Sequence, residues 1–148
     1  MNIYCTNEFK FEFDKLVRKK SYKNLEEALV KHFFATNLDI ETLRLGINLI
    51  KNNERPFIRT RILGSSGYRC YHYLLIKENN VFLSYIHPKT GSRELSNTKK
   101  NKNKELLNNL IESIISKDLF LVEKKTNTSL SFNHFSKLSA NKQKELNL

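Results

Sequence analysis

Apolar residues recur along this chain at two spacings, three-to-four and two, and the change between them marks its organisation. Met1 to Thr6 alternates weakly through Ile3 and Cys5, as a short edge strand or an entry segment would. Phe9, Phe13, Leu16 and Val17 then fall at helical spacing and predict an amphipathic helix over 9–20. Asn24 with Glu27 three residues later has the spacing of a capping box. Leu25, Ala28, Leu29, His32 and Phe33 follow as a second helix, so the two predict a helical hairpin able to cover a sheet. Residues 38–50 are apolar without a clear period and are interrupted by Gly46. From Phe57 the period becomes two. Strands are predicted over 57–63, 68–76 and 81–86, joined by the turn signals Gly64-Ser-Ser-Gly67 and Glu78-Asn79-Asn80, which gives an antiparallel meander. Leu106, Leu107, Leu110, Ile111, Ile114 and Ile115 then line one face of a third helix over 99–116. Leu119 to Val122 reads as a short strand.

The expected fold is therefore α+β. A small antiparallel sheet of three to four strands packs against an N-terminal helical hairpin and a C-terminal helix. Residues 1–123 form the domain, and 124–148 are a polar extension with a short helix over 136–146.

Charge changes the picture most in the middle of the chain. The 148 residues carry 26 Lys+Arg against 15 Asp+Glu, a net charge of +11. Residues 55–104 hold eleven of the basic residues and only Glu78 and Glu94, whereas the flanking thirds are each within one charge of neutrality. An AT-rich genome would enrich lysine, but it would spread it evenly and would not favour arginine. Five of the seven arginines lie in this middle third. A basic face built on the meander, made for a polyanion, is the better reading.

Several chemistries lack their signatures. Two cysteines, Cys5 and Cys70, cannot form a disulfide framework or a four-ligand zinc site, and a reducing cytoplasm is the expected location. No apolar run reaches the length of a membrane span, and the N-terminus does not read as a secretory signal. The four glycines have the wrong spacing for a phosphate-binding loop, and no His-Glu-x-x-His pair occurs. The basic segment has too few carboxylates for a two-metal nuclease. No metal or cofactor is expected. Cys70 with His72 is better read as a packing pair, and His72 as core or opposite surface rather than catalytic.

What remains is Arg59, Arg61, Arg69, Tyr71, His72, Tyr73, His87, Lys89 and Arg93. A basic and aromatic cluster of this kind suits RNA cleavage by in-line attack of a ribose 2′-hydroxyl. That reaction needs a proton acceptor, cations for the transition-state phosphate, and a proton donor to the leaving oxygen. Arginine meets phosphate oxygens two at a time. His87, just before Pro88 at a strand end, is expected to be exposed, where its unperturbed pKa makes it a usable acid or base. The predicted catalytic residues are Arg69, His87, Lys89 and Tyr71. Arg59, Arg61, Tyr73, Arg93, Lys99 and Lys100 are the predicted RNA-binding set, with tyrosine available for base stacking.

The order of two helices, a three-stranded meander and a helix resembles the RelE/ParE toxin superfamily, in particular its RelE/HigB-like branch. The matching text is Arg-x-Arg-Ile-Leu (59–63), Gly-Tyr-Arg-Cys-Tyr (67–71) and Val-Phe-Leu-Ser-Tyr-Ile-His-Pro-Lys-Thr-Gly (81–91), followed by the helix. The resemblance implies a toxin of a type II toxin–antitoxin system. Such a protein is a metal-independent mRNA endonuclease, free or ribosome-associated, neutralised by a cognate antitoxin protein. It also implies that Arg69 stabilises the transition-state phosphate, with Lys89 and Arg93 in the basic segment after the last strand. Two other functions stay open on the sequence: a ParE-like toxin acting on a protein such as gyrase, and a non-catalytic nucleic-acid-binding protein.

Overall fold

A computed structural model describes residues 1–63, 67–89 and 99–146. The chain begins with β1 (Asn2–Cys5), α1 (Asn7–Val17) and α2 (Leu25–Phe33). A two-residue strand β2 (Ile47–Asn48) leads to the meander β3 (Phe57–Ile62), β4 (Tyr68–Leu75) and β5 (Asn80–Pro88). After α3 (Lys99–Ser116) the chain returns as β6 (Phe120–Thr126) and β7 (Ser129–His134) and ends in the short helix α4 (Ala140–Lys144).

The sheet corrects the expected architecture. The described residues form one seven-stranded sheet in the order β2-β3-β4-β5-β1-β6-β7, not an antiparallel sheet of three to four strands. It is mixed, because β1 pairs in parallel with β5 while the other pairings are antiparallel. The weak alternation of residues 1–6 has a physical cause. β1 sits inside the sheet and Ile3, Tyr4 and Cys5 are all buried, so no polar face is left to mark the period. The polar extension and the boundary after residue 123 are corrected too. That boundary falls inside β6, and residues 129–134 form its hairpin partner. The charges of Glu123, Lys124 and Lys125 lie towards the hairpin tip, which reaches beyond the core.

The local signals were partly misassigned. α1 is capped by Thr6, whose Oγ1 accepts from the Phe9 N–H at 3.1 Å and donates to the Ser84 carbonyl at 3.1 Å. Asn24 makes no side-chain cap on α2, and its Oδ1 accepts instead from the Tyr68 hydroxyl at 3.3 Å. The ambiguous segment 38–50 is a 3₁₀ turn (Ile40–Arg44) followed by β2. Between them Gly46 takes φ +133°, where a Cβ would lie 2.8 Å from the Arg59 carbonyl oxygen.

Two cores lie on opposite faces of the sheet. On one, Phe9, Phe13, Leu16, Leu25, Leu29 and Phe33 of α1 and α2 cover Ile3, Ile58, Cys70, Leu74, Leu83 and Ile86. His72 is fully buried on this face and its Nε2 bonds the Leu43 carbonyl at 2.9 Å. On the other, Leu106, Leu110 and Ile114 of α3 cover Tyr4, Phe57, Tyr73, Leu75 and Phe82. No helix among the described residues is long and apolar enough to cross a membrane.

Candidate functional site

The site lies on the α3 face, on the part of β3, β4 and β5 that the apolar stripe of α3 does not cover. A β-bulge creates it. Tyr71 pairs with Tyr85 and the next residue, His72, with Leu83, so Ser84 is an extra residue in β5. Strict alternation would put Tyr85 and His87 on the same side as Val81 and Leu83, in the core beneath α1 and α2. The extra residue reverses the phase and places both on the α3 face.

Two cross-strand rows result. Arg61, Arg69 and His87 are aligned across β3, β4 and β5. Arg59, Tyr71 and Tyr85 form the adjacent row. Arg61 is exposed, and Arg59, Arg69 and Tyr85 are half-buried. Like charges directly opposite each other in a sheet are destabilising, so the Arg61–Arg69 pair costs stability until an anion meets it. Among the described residues none of the three arginines has a carboxylate partner, and the buried Arg59 Nη1 has no hydrogen-bond partner.

His87 is 6% exposed and packed by rings, 6.0 Å from Tyr71 and 5.7 Å from Tyr85 between centroids. Its Nδ1 lies 2.9 Å from the Pro88 carbonyl oxygen. A carbonyl only accepts, so Nδ1 carries the hydrogen and the neutral ring presents its lone pair at Nε2. That Nε2 is buried and, among the described residues, unpartnered. Burial lowers the pKa of His87, as do Arg69 and Arg59, against the opposing effects of the Pro88 carbonyl and Glu12. The imidazole is therefore held in its neutral form at pH 7.

Of the predicted residues, Arg59, Arg61, Arg69, Tyr71 and His87 are brought together. Tyr71 is 3% exposed and stacks among Phe57, Tyr85 and His87 as the floor of the site. Tyr73 is not with them. It lies under α3 with Phe57 and Leu75, and its phenol faces Arg55. It is packing, not a base platform, because the apolar stripe of α3 covers that part of the face. Lys89 follows the end of β5, where its backbone N–H donates to the Gly67 carbonyl at 3.0 Å. Arg93 lies outside the described residues, as do the side chains of Lys99 and Lys100, whose backbone opens α3.

The fold adds residues outside the predicted site set. Lys102 of α3 stands 5.3 Å above the Tyr85 ring, and its Nζ donates to Glu8 of α1 at 3.5 Å. Glu12, one helical turn after Glu8, acts electrostatically on His87. The i,i+4 spacing of the two acids was visible, but nothing in the sequence linked α1 to β5. No protein-family model matches the chain, and the searches of curated proteins and of solved structures found no match.

Proposed function

We propose that this chain is a metal-independent endoribonuclease that cleaves RNA by 2′-hydroxyl attack and acts as the toxin of a toxin–antitoxin pair. One observation carries the chemistry. Three guanidinium groups share a face with a buried imidazole, and among the described residues neither the guanidinium groups have carboxylate partners nor the His87 Nε2 a hydrogen-bond partner. In the reaction, Nε2 of His87 takes the 2′-hydroxyl proton as O2′ bonds to phosphorus. Arg69, flanked by Arg61 and Arg59, holds the two non-bridging oxygens of the phosphorane. The P–O5′ bond breaks, and the leaving oxygen takes a proton from solvent. The products are a 2′,3′-cyclic phosphate and a 5′-hydroxyl. Tyr71 holds the His87 ring in place.

The toxin part of the reading rests on element order. The helical hairpin, the meander β3–β5 and the helix α3 follow one another in the order that carries the resemblance to the RelE/ParE superfamily, within a larger mixed sheet. A cognate antitoxin and the ribosome are the partners this reading supplies.

The test is incubation of the purified full chain with free RNA, and with mRNA on ribosomes, in EDTA. Cleavage leaving 2′,3′-cyclic phosphate ends is expected. Arg69→Ala and His87→Ala should each lower it about 10²–10⁴-fold with the fold intact by circular dichroism. Salt-dependent binding without product would leave a non-catalytic nucleic-acid-binding protein. Growth arrest with intact RNA would direct attention to a protein target.

A further inference from the structure

The endoribonuclease reading, on which this inference rests, leaves open which RNA sequence the site takes. A cavity of about 330 Å³ opens between the start of α1, the bulge of β5 and α3. That size is at the lower end for small-molecule sites. Leu106 and Leu110 give it an apolar floor, and Ser84, the bulged residue, borders it. Its charged lining is Glu8, Glu112 and Asp118, with no lysine or arginine among the described residues. The chain as a whole carries +11, so this acidic lining is a local exception. Carboxylates only accept hydrogen bonds, so such walls repel phosphate and draw in a group that presents N–H donors.

Contacts place this cavity beside His87. Glu8 is half-buried in its wall and accepts from the Lys102 Nζ at 3.5 Å. Lys102, also 3.9 Å from Glu105, stands 5.3 Å above the Tyr85 ring, whose centre is 5.7 Å from that of His87. The Lys102 ammonium is therefore within about 11 Å of the imidazole centre, the reach of a single nucleotide. Ser84 and Tyr85 are consecutive, so one strand step separates the cavity from the row of Arg59, Tyr71 and Tyr85.

Side by side, the Lys102 ammonium and the Glu8 carboxylate offer one donor followed by two acceptors. Among the RNA bases, guanine carries the complement on its pairing edge: O6 accepts, and N1–H and N2–H donate. Adenine and cytosine each set a ring nitrogen lone pair beside their amino group, and uracil has one N–H between two carbonyls. Each of these would turn a lone pair towards the carboxylate. We propose that Glu8 and Lys102 form a guanine-specific subsite. A guanine next to the scissile phosphate enters the cavity, donates from N1–H and N2–H to Glu8, and accepts at O6 from Lys102. In single-stranded RNA that edge is free to be read. Neither residue touches the reacting atoms; the pair selects which phosphate Arg69 and His87 meet.

The test uses the purified full chain in EDTA and short RNAs that carry guanine, inosine or adenine at one position beside the cleaved bond. Inosine keeps O6 and N1–H and lacks only the amino group. The wild type should bind and cleave the guanine RNA about tenfold better than the inosine RNA, because the lost hydrogen bond has a charged acceptor. Glu8→Gln should remove most of that inosine penalty. Lys102→Met should weaken cleavage of the guanine and inosine RNAs alike and narrow their lead over adenine, since both keep O6. A Glu8→Gln variant that cleaves all three RNAs less well by one common factor overturns the subsite. So does a wild type that cleaves RNA without distinguishing guanine from inosine. Guanine-selective binding, read by fluorescence anisotropy, with no cleavage overturns the endoribonuclease reading and upholds the subsite. Neither binding nor cleavage overturns both.

Discussion

The fully buried His72 makes the stability of this fold depend on pH, by an amount that follows from its surroundings. Its Nε2 bonds the Leu43 carbonyl, which fixes the hydrogen on Nε2 and leaves Nδ1 buried and unpartnered among the described residues. Phe33 packs edge-on against the ring at 5.5 Å. Desolvation pulls its pKa from 6.5 down to about 4, helped by His32 and opposed by the Leu43 carbonyl. The folded state therefore prefers the neutral ring, while the unfolded chain takes up a proton near pH 6.5. This contribution is fully present above pH 6.5, is lost as pH falls from there towards 4, and changes no further below. At about 1.4 kcal/mol per pKa unit, the wild type should lose roughly 2–3 kcal/mol through this residue between pH 7.5 and 4.5. Other ionisable groups of the chain also respond to pH, so the measurement has to be a difference. Urea unfolding of the wild type and of His72→Gln, at half-unit steps from pH 7.5 to 4.5, supplies it. The advantage of the wild type should shrink by that amount and can change sign. A difference that stays constant with pH would refute the burial argument for His72.

Two further outcomes follow from the same structure. Gly46→Ala forces a side chain into a left-handed conformation and within 2.8 Å of the Arg59 carbonyl, so urea unfolding should show a loss of about 1–3 kcal/mol. RNA binding should weaken linearly with the logarithm of salt concentration, and Arg61→Ala should reduce that slope by about 0.7, the value for one phosphate contact on a single strand. An unchanged slope would remove Arg61 from the binding face.

The fold separates a closed core from the open candidate site on one sheet. α1, α2 and the 3₁₀ turn carrying Ile40 and Leu43 cover one face, and His72 belongs to that core. α3 covers only part of the other face, because its buried stripe of Leu106, Leu110 and Ile114 sits over Phe57, Tyr73 and Phe82. The arginine rows lie beyond that stripe, where Lys102 of α3 stands over the Tyr85 ring.

Much of this was written in local sequence. The spacing of Phe9, Phe13 and Leu16, and of Leu106, Leu110 and Ile114, sets three to four residues between buried positions, and such spacing can be satisfied only by helices with one apolar face. The alternation through Arg59, Arg61, Arg69 and Tyr71 needed only the strand period to put those side chains on one face. Tertiary structure decided the rest. β1 is central because β5 and β6 both pair with it, a long-range choice that its few buried residues do not announce. The hairpin β6–β7 reads as a tail because its tip projects beyond the core and carries charge without burial. The histidine at the centre of the site owes its face to Ser84, one extra residue accommodated between β4 and β5. A bulge reverses strand phase without any change of residue type, and its place is settled by what must pack on each side of the sheet.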